Sequence, residues 1–177
     1  MKKVLYLATL LFCAAFTSCE KEEIGGTAVE SMAGEWYVTV DAADENGNVV
    51  EGLEDPFGLG KIHVLTYNTS SNSTNQLIVD DLQNFWAFKV KTNCDLNKLT
   101  FSTNTTDNNN LVTDYEDINV TITGGKIVKD GGKQNNGSKA DYIEFFVSFS
   151  DDPYPAAYGY SCYKISGVRY SGLVEND

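Results

Sequence analysis

The chain has 177 residues, with 25 Asp and Glu against 13 Lys and Arg, and a formal net charge of −12. That balance excludes a nucleic-acid-binding surface, which needs a positive footprint, and disfavours direct contact of the body with anionic lipid head groups. The length is ample for one hydrophobic core, and no internal repeat or second domain is visible.

In chain order, Lys2 and Lys3 precede an apolar run over residues 4–16, followed by Thr17, Ser18 and Cys19. This is the three-part layout of a secretory signal over residues 1–18. The run is too short for a membrane-spanning helix, which needs about 20 residues. Phe16-Thr17-Ser18-Cys19 resembles a bacterial lipobox, with Phe16 where Leu is usual. The resemblance implies a diacylglycerol on the Cys19 sulfur and cleavage just before it. The alternative is ordinary cleavage near Ala15, leaving Cys19 as a free thiol. Each buried acyl methylene contributes about 0.8 kcal/mol, so two or three chains would hold the protein on a membrane. The signal removes two lysines and no acid, which leaves the mature body more acidic still.

Residues 19–31 contain few apolar side chains and carry Gly25-Gly26, as expected of a lipidated tether. Lys21-Glu22-Glu23 resembles the charged export signal that follows the lipidated cysteine in surface lipoproteins of Bacteroidetes. That implies the outer face of the outer membrane, with the lipid anchor as the membrane contact.

From residue 32 to 177 the pattern has period two. Trp36, Val38 and Val40 alternate with Tyr37, Thr39 and Asp41; Trp86, Phe88 and Val90 with Ala87, Lys89 and Lys91; Ile118, Val120 and Ile122 with Asn119 and Thr121; and Ile143, Phe145, Val147 and Phe149 with Glu144, Phe146 and Ser148. Each run predicts a strand with one face on a core and one on water. Shorter candidates lie at 61–67, 76–80, 98–102, 158–166 and 168–173. Asn46-Gly47, Gly124-Gly125, Asp130-Gly131-Gly132 and Asn136-Gly137 read as turns. The Ser/Thr/Asn-rich stretches 69–75 and 103–110 read as exposed loops. Eight or nine short antiparallel strands in one all-β domain point to a barrel or a sandwich.

Gly34-Glu35-Trp36 opens the first strand, and Arg169 lies near the last. The pair resembles the Gly-x-Trp signature and the C-terminal arginine of lipocalin-like (calycin) barrels. There the indole plugs one end and the guanidinium packs across it, a cation–π contact of about 0.5–2 kcal/mol. The lipobox, the opening from Ala33 to Val38 and the ending from Ser166 to Gly172 together resemble the Bacteroidetes lipoprotein family called "lipid-binding putative hydrolase". The resemblance implies a single antiparallel lipocalin-like barrel of about eight strands and a small apolar or lipid-like ligand. Trp86, Phe88, Phe145, Phe149, Tyr158 and Tyr160 are the aromatic candidates to line a cavity for it, or else to fill the core.

Other chemistry finds little support. His63 is the only histidine, and no Gly-x-Ser-x-Gly elbow is present. An esterase-like hydrolase would have to be built around it, and the alternative is an ordinary strand histidine. Asp80-Asp81, Glu116-Asp117 and Asp151-Asp152 are adjacent acids, which point to opposite faces of a strand and do not converge on one substrate. A transition metal lacks ligands. Asp41, Asp44, Glu45, Asn46 and Asn48 offer hard oxygens without the spacing of a twelve-residue calcium loop. No metal or cofactor is therefore expected. Cys94 and Cys162 remain as either a disulfide or two free thiols. A non-catalytic accessory or interaction subunit of a surface complex is the third functional reading.

Overall fold

The computed structural model describes residues 26–104 and 109–176. The strands are β1 (Gly34–Ala43), β2 (Ile62–Asn68), β3 (Gln76–Asp80), β4 (Lys89–Asp95), β5 (Thr100–Ser102), β6 (Val120–Lys133), β7 (Lys139–Phe149) and β8 (Cys162–Arg169). Each pairs antiparallel with the next, and β8 returns to β1, with Trp36 opposite Arg169 and Ala43 opposite Cys162. The result is a closed eight-stranded barrel in sequence order, the all-β lipocalin-like architecture expected from the sequence. Closure removes every free sheet edge.

Alternation sets the inside and outside. Along β1, Trp36, Val38, Val40 and Ala42 are fully buried, while Glu35, Tyr37, Thr39 and Asp41 face out. Along β7, Ile143, Phe145, Val147 and Phe149 point in. The interior is filled by large side chains, with Trp36, Phe88, Phe145 and Tyr163 all buried in one cluster with Leu77, Ile122 and Ile165. Removing one such ring would cost about 3–5 kcal/mol.

Several boundaries differ from the periodicity. Gly124-Gly125 and Asp130-Gly131-Gly132 are not chain reversals. They lie inside β6, where the register with β7 slips between Thr123 and Lys126 and again between Val128 and Gly132. Both are bulges that bend a long strand. Asn136-Gly137 is the real turn between β6 and β7, closed by Gly137 N–H on the Gln134 carbonyl. Trp86 and Phe88 precede β4, because Leu82, Gln83 and Ala87 take left-handed backbone angles that no strand accommodates. Tyr158 belongs to a short helix α1 (Tyr154–Tyr158), and the two predicted terminal strands are one, β8. Val29, in the stretch read as tether, is buried in the core.

The two thiols are free. Cys94 lies on β4 and Cys162 opens β8, and these strands are not neighbours around the barrel. Of the two alternatives left open by the sequence, a disulfide or two free thiols, the structure has the second: matching redox chemistry does not bring two strands together. Burial pushes both thiols up, helped by Asp95 beside Cys94 and Asp44 beside Cys162.

The described segment before β1 and the connections after β2, β4 and β6 gather at one end. A 3-10 turn (Glu30–Met32) plugs it with Val29 and Met32. The Thr66 hydroxyl donates to the Met32 carbonyl at 2.6 Å and accepts from Trp36 Nε1 at 2.8 Å. The Arg169 guanidinium lies 4.6 Å from the Trp36 ring centre, and its Nη1 donates to the Ala33 carbonyl at 2.9 Å. Gly34 leaves room for this contact, because a Cβ there would push the guanidinium aside.

Candidate functional site

The connections after β1, β3 and β7 gather at the opposite end, and each is shaped by a carboxylate that collects backbone N–H groups. In the β3–β4 connection the buried Asp81 accepts from Gln83, Phe85, Trp86 and Phe88 N–H, at 2.9, 3.1, 3.0 and 2.9 Å. Burial raises its carboxyl above the ordinary value, and these four donors offset only part of that effect. They fold the loop so that Phe85 and Trp86 lie across the barrel mouth. In the β1–β2 connection Asp55 accepts from Leu59 and Gly60 N–H, both at 2.8 Å, which fixes the tight turn carrying Pro56 and Phe57. In the β7–β8 connection Asp152 accepts from Tyr154 N–H at 2.9 Å and starts α1, which ends at the left-handed Gly159.

These loops assemble an aromatic cluster. Trp86 stacks on Phe149 at 5.1 Å with planes 13° apart. Phe57 meets Phe85, Tyr154 and Tyr163 edge-on or tilted, at 5.6, 5.5 and 5.7 Å. Tyr154 stacks on Tyr158 at 6.1 Å. Such pairs contribute about 0.5–1.5 kcal/mol each beyond area burial. At the edge of the cluster is an open cleft of about 260 Å³, lined by Leu53, Pro56, Phe57, Tyr154, Tyr158 and Tyr160. Its outer wall is exposed: Phe57 is 37% exposed, Tyr154 39% and Tyr158 63%.

Below the cleft runs a polar chain. Tyr160 and Tyr163 hydroxyls are 2.7 Å apart, and Tyr163 donates to Asp152 at 2.6 Å. Burial, then the bonds to Asp152 and Tyr160, push the Tyr163 phenol far up. It stays neutral and acts as a fixed donor. The indole N–H of Trp86 donates to Asp151 at 3.1 Å.

The sequence-selected aromatics therefore separate. Phe88 and Phe145 are interior packing, Phe149 joins the core to the cluster, and Trp86, Tyr158 and Tyr160 lie at the mouth. Phe57, Phe85, Tyr154 and Tyr163 belong to the same cluster and were not singled out by periodicity. For Phe57, Phe85 and Tyr154 the signal was an aromatic residue within a turn-rich segment, where a solvated loop has no need of one; Tyr163 lies on β8. His63 is elsewhere, on the outer wall, with Nδ1 2.8 Å from Glu35 Oε1 and its ring between Tyr37 and Tyr170. Asp44 is occupied by its own turn, accepting from Asn46 and Asn48. Among the described residues no cluster of His, Cys, Asp or Glu has a geometry that would hold a metal. Cys19 lies outside the described residues.

A family model described as lipid-binding putative hydrolase matches residues 21–174. No curated protein matches the chain.

Proposed function

The chain belongs to the lipid-binding putative hydrolase family, and on that premise we propose that it is a lipoprotein holding a small apolar or lipid-like ligand at the loop end of its barrel. The family and the barrel together support lipid binding. The observation that carries the location is the exposed aromatic cleft of Leu53, Pro56, Phe57, Tyr154, Tyr158 and Tyr160. The interior supports a surface site over a deep one, since Phe88 and Phe145 occupy the space that a lipocalin ligand would fill. Apolar cleft walls with a few fixed polar groups beside them are the usual make-up of a small-molecule site.

In this reading Cys19 carries the acyl chains, residues from Glu20 onward form the tether, and Lys21-Glu22-Glu23 directs the protein to the outer face of the outer membrane. Cys19→Ser releases the protein into soluble fractions; a variant that stayed with the membrane would overturn the anchor. Native mass spectrometry, before and after organic extraction, tests the ligand: the expected result is an extractable small apolar species, and its absence, with no uptake of added lipid, would contradict it. The hydrolase alternative rests on His63. Ester hydrolysis abolished in His63→Ala would favour it over simple binding. Recovery of the protein in a stoichiometric complex from solubilised outer membrane would instead favour the accessory-subunit reading.

A further inference from the structure

Resting on the reading that the loop-end cleft takes a ligand, we propose that it selects an amphiphile with an alkylated ammonium head over one with a carboxylate head. Three observations converge on this. The first is the wall chemistry. Phe57 and Tyr154 meet at 73° and Tyr158 continues from Tyr154, so π faces border the space from different directions. The lining includes Phe57, Tyr154, Tyr158 and Tyr160 and no Lys, Arg or His. An alkylated ammonium is held by such faces through the ring quadrupole and needs no hydrogen-bond acceptor.

The second is the field. The loops at this end, to which the antiparallel order also brings the connection after β5, carry Glu54 and Asp55, Asp81, Glu116 and Asp117, and Asp151 and Asp152. Their single basic residue among those described, Lys61, is turned onto the outer wall with Nζ 4.9 Å from the Tyr37 ring centre. Acidic loops around an apolar concavity concentrate cations near it and repel anions.

The third is hydrogen-bond occupancy. Asp152 spends one carboxylate oxygen on Tyr154 N–H and the other on the Tyr163 hydroxyl, and the Tyr160 hydroxyl is paired with Tyr163. A carboxylate ligand arriving beside Tyr160 would meet a phenol already in a hydrogen bond, with the Asp152 anion one hydroxyl further on. A trimethylated head asks for neither donor nor acceptor and gains from the same anion.

The test uses the full-length chain carrying Cys19→Ser, purified without detergent, and three probes of equal chain length as monomers: decyltrimethylammonium, decanoate and 1-decanol. Titration calorimetry in 0.15 M salt should show the ammonium probe binding about tenfold more tightly than either of the others. A Tyr154→Ala/Tyr158→Ala double variant should lose that preference. Equal affinity for all three probes would overturn the head-group selection while leaving the apolar site standing. Tighter binding of decanoate would overturn it outright. A preference that survived in the double variant would overturn it too, because overall negative charge would then be drawing the cation. Failure of all three to bind would remove both the selection and the site.

Discussion

The two ends of the barrel use aromatic rings in opposite ways. At the closed end a single indole, Trp36, is fully buried, covered by Arg169, hydrogen-bonded to Thr66 and sealed by Val29 and Met32. At the loop end many rings cluster, several remain half in water, and the carboxylates of Asp55, Asp81 and Asp152 hold backbone rather than one another. The first arrangement gains by excluding everything. The second leaves apolar surface exposed on loops whose shape is nevertheless fixed, and exposed apolar patches on fixed loops are where binding is found. The lesson is that stability and recognition are separated along the barrel axis, so substitutions at the two ends should have separable effects.

The largest expected effect is at the closed end. Trp36→Ala should lower unfolding free energy by about 3–5 kcal/mol, read by chemical denaturation, while the folded fraction keeps its ligand affinity. Loss of affinity in the folded protein would break the separation. Asp81→Ala comes next. It strips four N–H groups of their acceptor, and should cost about 1–3 kcal/mol together with the ligand site, since Trp86 and Phe85 lose their support. Retained binding would show that the loop does not shape the cleft.

A third effect belongs to neither end. On the outer wall Glu144 accepts from Lys126, Lys164 and Tyr142 at 2.9, 3.0 and 2.9 Å. Burial alone would raise its carboxyl, but these bonds outweigh it and bring the value from 4.5 to about 2. The unfolded chain therefore takes up this proton first as pH falls. The stabilisation is complete above about pH 4.5 and is lost on acidification toward about pH 2. Discounted for solvent screening, it amounts to about 1–2 kcal/mol. Glu144→Gln should flatten that part of the stability–pH profile, and an unchanged profile would contradict the assignment. The smallest stability effect is expected at the loop end: Tyr158→Ala should change unfolding free energy by no more than about 0.5 kcal/mol yet weaken ligand binding measurably.

Much of the barrel was legible because alternation is a local signal. Trp36-Val38-Val40 and Ile143-Phe145-Val147-Phe149 declare their inward faces without reference to anything distant, and Arg169 was matched to Trp36 through the likeness to lipocalin-like barrels, in which the last strand closes beside the first. The glycine pairs in β6 misled because Gly supplies a turn or a bulge equally well, and only pairing with β7 decides between them. The Trp86-Phe88-Val90 run misled for a related reason. Its alternation is real, but Asp81 draws the N–H groups of Phe85, Trp86 and Phe88 onto one carboxylate, and a sidechain acceptor several residues away leaves no trace in periodicity. The site was half visible: Trp86, Tyr158 and Tyr160 were named on aromatic character alone, whereas Phe57 and Tyr154 join them only through loops that converge in three dimensions.

The chain has two tryptophans, one at each end, and their indole N–H groups are resolved probes of the central claim. Two-dimensional 1H–15N NMR of the labelled protein, titrated with decyltrimethylammonium, should shift the Trp86 indole signal progressively and leave the Trp36 signal in place. A shift at Trp36, or at both indoles together, would place the ligand inside the barrel or reveal a rearrangement of the whole fold, and would contradict the account.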